Sequence, residues 1–464
     1  MITNNLKYII IKLIDINSKI YNTIMSDKLN EINKIIESLN DMNKSFLSKE
    51  EYCQLNDVLE VLLDDYIKSN IRSFSNPYFH ENLVFDIKNL LSIQFDFLDQ
   101  DILSYTADII LEQLCMTYFK YFIPRRSYKK TFIRVAPNID KINKKLMYLK
   151  NKPQPEQRTP EWYLFRYNLI TASNAWKILD SESSKNSIIY EKCKPHDNAK
   201  YDRVNMDSPF HWGTKYEPIS VQLYEEKYNT KVDDFGCIQH DKYTFLGASP
   251  DGIITDPKSN LYGRMLEIKN IVNREINGIP KMEYWIQMQL QMEVCDLNEC
   301  DFLETKFIEY NDYNEFKNDG TFNKTKEDRL KGVFMLFMKD SKPYYEYPPI
   351  NLPEEDFLKW ESKTMEKNNH LLWVKNIYWY LHTFSCILVL RNKPWFKEII
   401  GDIQNTWNII EKERIHGYEH RAPKKRTKSF DDKDKRKGCL LSLKNGDVSI
   451  NNVIKINTDP LVLK

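Results

Sequence analysis

Glycine is scarce in this chain, 12 residues in 464. That excludes a Gly-rich all-β or low-complexity protein, whose turns and close packings draw on residues that tolerate positive φ. Cysteine is thin too. Cys53, Cys115, Cys193, Cys237, Cys295, Cys300, Cys386 and Cys439 are scattered, so reduced thiols are expected, not a disulfide framework. A surplus of either charge is missing, with a net charge of +1. Long apolar runs are missing as well. The most apolar window, Leu371 to Leu390, contains Lys375, Asn376 and His382, which are costly in a bilayer, so no membrane span is expected. The opening Met-Ile-Thr-Asn-Asn has no basic stretch followed by an apolar core, so no secretory signal is predicted. No Gly-x-x-x-x-Gly-Lys-Ser/Thr loop and no Gly-x-Ser-x-Gly elbow occurs, which leaves ATP hydrolysis and serine-hydrolase chemistry without support.

What is present describes a globular protein: 42% hydrophobic and 29% charged residues. The length suggests two or three domains. Asn, Lys, Ile and Tyr are abundant, the bias an AT-rich genome produces. Residues 1–124 read as helical. Ile32, Ile35, Ile36 and Leu39 form one buried stripe, and Leu55, Val58, Leu59, Leu62 and Tyr66 form another. Residues 125–160 combine a basic segment with a connector. From Arg125 to Lys152 there are ten Lys/Arg and one acid, Asp140, a place where phosphates could sit. Prolines at 153, 155 and 160 then predict an extended connector and a domain boundary.

Residues 161–420 change texture. Helical spacing from 161 to about 180 and from Trp212 to Tyr228 gives way to short strands at Phe235–Gln239, Phe245–Ala248, Gly252–Thr255 and Arg264–Lys269. Helical spacing returns at Met282–Val294, and strands at Asp301–Tyr310 and Gly332–Met338. Ile377–Arg391 reads as a strand or a helix, and Pro394–Arg414 as a helix. This order predicts an α/β fold with a central mixed β-sheet flanked by helices. Residues 421–464 form a basic tail without periodicity. Its Pro423-Lys424-Lys425-Arg426 suits an import signal, a phosphate-binding arm or plain solvated charge.

The chemistry concentrates in Gly247-Ala248-Ser249-Pro250-Asp251-Gly252 and Leu266-Glu267-Ile268-Lys269. Phosphodiester hydrolysis needs a divalent cation on hard oxygen ligands, which polarises the phosphoryl group and lowers the pKa of a bound water. Asp251 and Glu267 on neighbouring strands can supply two carboxylates. Residues i and i+2 of a strand share a face, so Glu267 and Lys269 project together with the Ile268 carbonyl between them. As a bare spacing this pattern is weak, and a surface Glu–Lys pair would produce it equally well. Cys193-x-x-His196 and Cys237-x-x-His240 have zinc-like half-spacings, but they lie far apart and Cys237 falls in a predicted strand.

Four ordered blocks resemble the YqaJ-type viral recombinase and lambda exonuclease family of the PD-(D/E)XK nuclease superfamily. They are Gln157-Arg158-Thr159-Pro160-Glu161-Trp162 leading to Arg166 and Ile170-Thr171-Ala172-Ser173; Trp212-Gly213-Thr214-Lys215-Tyr216-Glu217-Pro218; the Asp251 and Glu267 segments; and Tyr284-Trp285-Ile286-Gln287-Met288-Gln289-Leu290-Gln291-Met292. The resemblance implies a restriction-endonuclease-like core and a viral, metal-dependent DNA nuclease that resects duplex ends, 5′ to 3′, for recombination or repair. It implies Mg²⁺ or Mn²⁺ on Asp251, Glu267, the Ile268 carbonyl and Glu217. Lys269 would be the catalytic lysine, Gln289 would lie near the attacking water with Gln287 as its alternative, and Arg166 and Ser173 would bind a terminal 5′-phosphate. Double-stranded DNA ends are the implied substrate, a single-strand annealing protein the implied partner, and a homo-oligomer an implied assembly. The expected location is intracellular, in host cytoplasm, viral factory or nucleus, with virion packaging left open. A structure-specific endonuclease and a non-catalytic DNA-binding or packaging protein are the competing readings.

Overall fold

The computed structural model describes residues 47–94, 100–134, 136–195, 205–206 and 208–422, and the backbone of 441–444 and 447–450. The stripe at Ile32–Leu39, His196 and the basic run after Ala422 lie outside these residues. Residues up to Arg421 form one compact unit and Ala422–Lys464 a second.

Helix α1 (Lys49–Ser69) opens on a capping box, with the Ser48 hydroxyl accepting from the Glu51 N–H and the Glu51 carboxylate accepting from the Ser48 N–H. Its buried stripe of Leu55, Leu59, Leu63 and Ile67 packs on α2 (Phe79–Gln94) and α3 (Gln100–Tyr121). The basic segment follows and runs into α4 (Ile139–Lys150). Much of its charge is used inside the molecule. Arg126 is buried and donates to the carbonyls of Ser75 (3.0 Å) and Pro280 (2.7 Å). Lys145 pairs with Asp296, Lys150 with Asp233 and Lys152 with Asp241. Through these four of its ten cations the segment acts as a strap across the fold. The prolines at 153–160 do not separate two cores. One hydrophobic cluster runs from Leu55 on α1 to residues near Ile410.

Beyond the strap come α5 (Pro160–Tyr167), β1 (Ile170–Thr171), α6 (Ala172–Asp180), α7 (Glu182–Cys193) and α8 (Pro209–Tyr228). Short strands β2 (Val232–Asp233), β3 (Ile238–Gln239), β4 (Leu246–Ala248) and β5 (Gly252–Ile254) lead to β6 (Met265–Asn270), α9 (Met282–Cys295) and β7 (Glu299–Glu309). Then follow α10 (Tyr313–Asn318), β8 (Lys331–Lys339), β9 (Lys342–Glu346), α11 (Glu354–Lys367), β10 (Leu372–Leu390) and α12 (Lys393–His416). The second unit holds one hairpin, β11 (Leu441–Lys444) with β12 (Asp447–Ile450).

The main sheet has the order β2-β5-β6-β7-β10-β8-β9, and β1-β4-β3 form a small sheet. Only β6–β7 within the main sheet is parallel; its other pairings are antiparallel. α8 covers one face through Tyr216, Ile219, Leu223 and Tyr224. α9 covers the other, and it is buried all round, from Trp285 and Ile286 through Met288 to Cys295. The ambiguous apolar window is the long strand β10, paired to β7 along one half and to β8 along the other. Among the described residues no helix is long and apolar enough to cross a membrane.

Candidate active site

The pairing of β5 with β6 stops at Gly252–Leu266. Asp251 stands just before that end, where the edge of β6 has lost its partner strand. Its carboxylate fills the gap and accepts from the Ile268 N–H at 2.7 Å. Gly252 permits this tight corner, since a Cβ there would collide with Val232 of β2. Along β6, the Ile271 N–H just past the strand turns to β7, where it meets the Thr305 carbonyl. Alternation then turns both backbone groups of Ile268 to the Asp251 side. The Ile268 carbonyl therefore faces the edge that Asp251 caps.

Glu267 is fully buried, 0% exposed. Lys269, two residues on and on the same face, donates to its Oε1. The Lys269 ammonium also lies 5.1 Å above the Tyr284 ring. Glu217 comes from α8, whose first turns sit over the end of β6. Asn270 donates to the Gly213 carbonyl at 3.0 Å and accepts from Ser220 at 2.7 Å. The structure therefore brings Asp251, Glu267, Ile268, Lys269 and Glu217 together.

The glutamine assignment needs correcting. Gln289 is turned away from the acids, donating to the Leu390 carbonyl at 2.9 Å and accepting from the Asn392 N–H at 2.7 Å. Gln291, which the sequence did not single out, reaches the acids instead, donating to Glu267 Oε2 at 2.7 Å and to the Ser249 carbonyl at 3.1 Å. The reason is helical geometry: successive residues turn by about 100°, so positions two apart face opposite ways and positions four apart share a face. Gln287 shares the Gln291 face and is half-buried.

A second wing adjoins this centre. β1 runs parallel to β4 in the register Thr171–Gly247, so Ser173 and Ser249 leave the small sheet at the same end. Arg166 reaches Ser249 Oγ at 3.3 Å and stacks on Trp162, 4.4 Å from the ring centre. Ser173 is exposed at the start of α6, 3.4 Å from Thr171 Oγ1. No side chain caps that helix start, so its first N–H groups have no side-chain acceptor.

Residues 161–298 match the YqaJ-like viral recombinase domain. The match contains Arg166, Ser173, Glu217, Asp251, Glu267, Ile268, Lys269 and all three glutamines of α9. An uncharacterized protein of Acanthamoeba polyphaga mimivirus is 31% identical over 340 residues, an alignment that covers 64% of this chain and 59% of the relative. The chain thus spans under two thirds of that relative's length. Among solved structures, the alkaline exonuclease LHK-Exo of Laribacter hongkongensis aligns with 56% of this chain and 95% of its own, at 19% identity and a TM-score of 0.33. A phage-related exonuclease of Haemophilus somnus aligns with 53% and 94%, at 14% identity and a TM-score of 0.29.

The electrostatics of this YqaJ-like centre are unbalanced. Burial, then repulsion from Glu267, hold the Asp251 carboxyl well above the usual carboxylate range, against the pull of Lys269. Burial also raises Glu217, where Arg158 pulls the other way and Glu267 adds to the rise. Burial alone would lower the Lys269 ammonium, but Glu267 and Asp251 hold it above the ordinary lysine value. Three carboxylates, Glu267 fully buried and Asp251 and Glu217 half-buried, therefore crowd around one lysine, with Arg158 at the Glu217 edge. Among the described residues no three His, Cys, Asp or Glu side chains close into a ready-made cage. The donor chemistry nonetheless fits a hard divalent cation: carboxylate and carbonyl oxygens, an excess of negative charge, and the buried Gln291 Oε1 without a hydrogen-bond partner. The zinc half-spacings give nothing comparable. Cys193 is buried against the Ile410 carbonyl, and His240 packs on Phe396.

Two residues beside the centre carried no sequence signal. Glu304 on β7 stands in register with Lys269 and is buried, and Arg274 donates to its Oε1. Only the strand pairing reveals them, since no local spacing links residue 304 to residue 269.

Proposed function

We propose that this chain is a metal-dependent deoxyribonuclease that acts on the ends of duplex DNA, as a 5′-to-3′ exonuclease serving viral recombination or repair. The observation that carries the reading is the assembly of Asp251, Glu267 and Lys269 at one strand end, with Arg166 and the start of α6 on an adjoining edge. The YqaJ-like match supports it. Mg²⁺ or Mn²⁺ would be held by Asp251, Glu267 and the Ile268 carbonyl with Glu217 close by, and would supply charge neutralisation on the phosphate and an acidified water.

The chain's own groups do the remaining work. Lys269 is positioned to hold a water beside Glu267 and to donate to charge developing on the phosphate. Gln291 holds the Glu267 carboxylate and also bonds to the Ser249 carbonyl, which links the two wings. Arg166 offers a planar fork to a terminal phosphate, with Ser173 at the start of α6 beside the same small sheet.

The test is digestion of linear duplex with Mg²⁺, comparing 5′-phosphate with 5′-hydroxyl ends. Faster loss of phosphorylated ends, abolished by Asp251→Ala and slowed by Arg166→Ala, is the expected result. Absence of metal-dependent cutting, or cutting indifferent to Asp251→Ala, would sink the reading. Cutting of closed circles would instead identify a structure-specific endonuclease.

A further inference from the structure

Arg158 lies between Pro155 and Pro160 in the connector that enters α5, and its φ is +67°. Residues with a side chain seldom occupy this left-handed region, and where they do the strain tends to accompany function. The side chain is exposed. Its one hydrogen bond is a long one, Nη2 to Thr214 Oγ1 at 3.4 Å. No carboxylate comes within ion-pair distance of it among the described residues. Thr214 lies one helical turn before Glu217 on α8, so the guanidinium hangs at the Glu217 edge of the acidic centre. Its charge is the strongest favourable influence on the Glu217 carboxylate, and it also reaches Tyr347.

The neighbouring cations differ. Arg264 is bound to Glu299 and Asp301, Arg274 to Glu304, Arg391 to Glu293 and Asp296, and Arg414 to backbone carbonyls. Lys269 is held by Glu267. Around the centre, among the described residues, Arg158 and Arg166 are the two arginines that touch neither a carboxylate nor a carbonyl through their forks. Arg166 approaches from the Ser249 side and Arg158 from the Glu217 side. A phosphodiester lying over three carboxylates needs positive charge from outside the acid cluster, and a free guanidinium matches two phosphate oxygens at once.

We propose that Arg158 binds the phosphate that is cut, from the Glu217 side, while Arg166 holds the terminal one. This rests on the nuclease reading above. The experiment uses the full chain with Arg158→Ala, Arg158→Lys and Arg158→Gly. Duplex binding is followed by fluorescence anisotropy over a salt series in EDTA, and cleavage in single turnover with Mg²⁺. The expected result is a salt slope reduced by about one in Arg158→Ala and a cleavage rate lowered by roughly 100-fold. Arg158→Lys restores the slope but not the rate, because it lacks the fork. Arg158→Gly loses the rate yet melts at or above the wild-type temperature, since glycine adopts the left-handed backbone freely. An unchanged slope and a rate within twofold of wild type in Arg158→Ala, with Asp251→Ala inactive, would overturn this proposal alone. So would parallel losses of rate and melting temperature in all three variants, which mark a merely structural arginine. A wild-type chain that never cuts would overturn the nuclease reading instead, and the salt slope would still report on the phosphate contact.

Discussion

The two ends of β6 bury charge in opposite ways. At its start, Arg264 donates to Glu299 (2.6 Å), Asp301 (3.2 Å), Thr131 (2.7 Å) and the Phe132 carbonyl (3.0 Å). Asp301 in turn accepts from Thr131 at 2.6 Å and Tyr224 at 2.7 Å. Each charged group there has its partners, and the cluster joins strap, sheet and α8. At the far end, Asp251, Glu267 and Glu217 crowd around one lysine, Lys269, with Arg158 reaching only the Glu217 edge. A saturated cluster holds structure together, whereas a cluster with surplus carboxylate is under electrostatic tension that a cation or substrate can relieve. The same strand thus carries a saturated cluster and the proposed chemical one a few residues apart.

The largest expected effect breaks the chemical end without touching the other. Asp251→Asn, Glu267→Gln or Lys269→Met should lower cleavage by roughly 10³-fold or more. Asp251→Asn should also leave thermal stability equal or raised, because it removes repulsion among buried acids. A variant that cuts at wild-type rate would dissolve the distinction between the two ends.

The structural end should respond in reverse. Arg264→Met strands Asp301 and Glu299 without their counter-charge, and breaking a buried pair from one side costs about 3–5 kcal/mol. Denaturant titration should show that loss, while the folded fraction keeps its rate of cutting. Intact stability would mean that the Thr131 and Tyr224 bonds alone hold Asp301.

Much of this was legible in the sequence, for identifiable reasons. The Glu267–Lys269 face follows from strand alternation, and Asp251 from a Pro-Asp-Gly turn after an apolar run. Buried Leu55 and Leu59 follow from helical spacing. What failed were features that depend on rotation or on pairing across the sheet. α9 is apolar on every side, so no hydrophobic stripe reveals which glutamine faces Glu267. The pairing of the strap's lysines gave no local sign because their partners Asp233, Asp241 and Asp296 are remote in sequence. Glu304 was invisible for the same reason. The resemblance supplied the set of site residues with Gln289 or Gln287 near the acids, and the fold decides for Gln291, which reaches Glu267.

That decision supports a sharper, smaller test. Gln289→Leu leaves the Leu390 carbonyl and the Asn392 N–H without partners in a buried place, at a cost of about 1–3 kcal/mol, and should not slow cutting by the folded protein. Gln291→Leu takes a donor from buried Glu267 and should cost a comparable amount of stability, but it should also lower the rate of the folded protein by about 10–100-fold, the usual effect of losing a group that orients a metal ligand. A swapped outcome, with Gln289 controlling the rate and Gln291 leaving it unchanged, would reverse the assigned rotation of α9.

The smallest effect concerns a buried group that must stay neutral. His80 packs against Phe74, Phe79 and Phe119 and accepts the Arg126 N–H at 3.1 Å through Nε2. Burial, then the charges of Arg125 and Arg126, lower its imidazole from 6.5 to about 3. Above the unfolded value both states are neutral and the group has no pH effect. As pH falls below it the unfolded chain takes up a proton that the native chain refuses, so stability declines until the folded value is reached. The slope from this one site is at most about 1.4 kcal/mol per pH unit. His80→Gln keeps an acceptor for the Arg126 N–H but cannot take up a proton. It should therefore flatten the stability profile between pH 6.5 and about 3 without altering cleavage at neutral pH. Urea titrations of both proteins across that range would measure the difference, and superimposable profiles would show that His80 opens to solvent and titrates like any exposed imidazole.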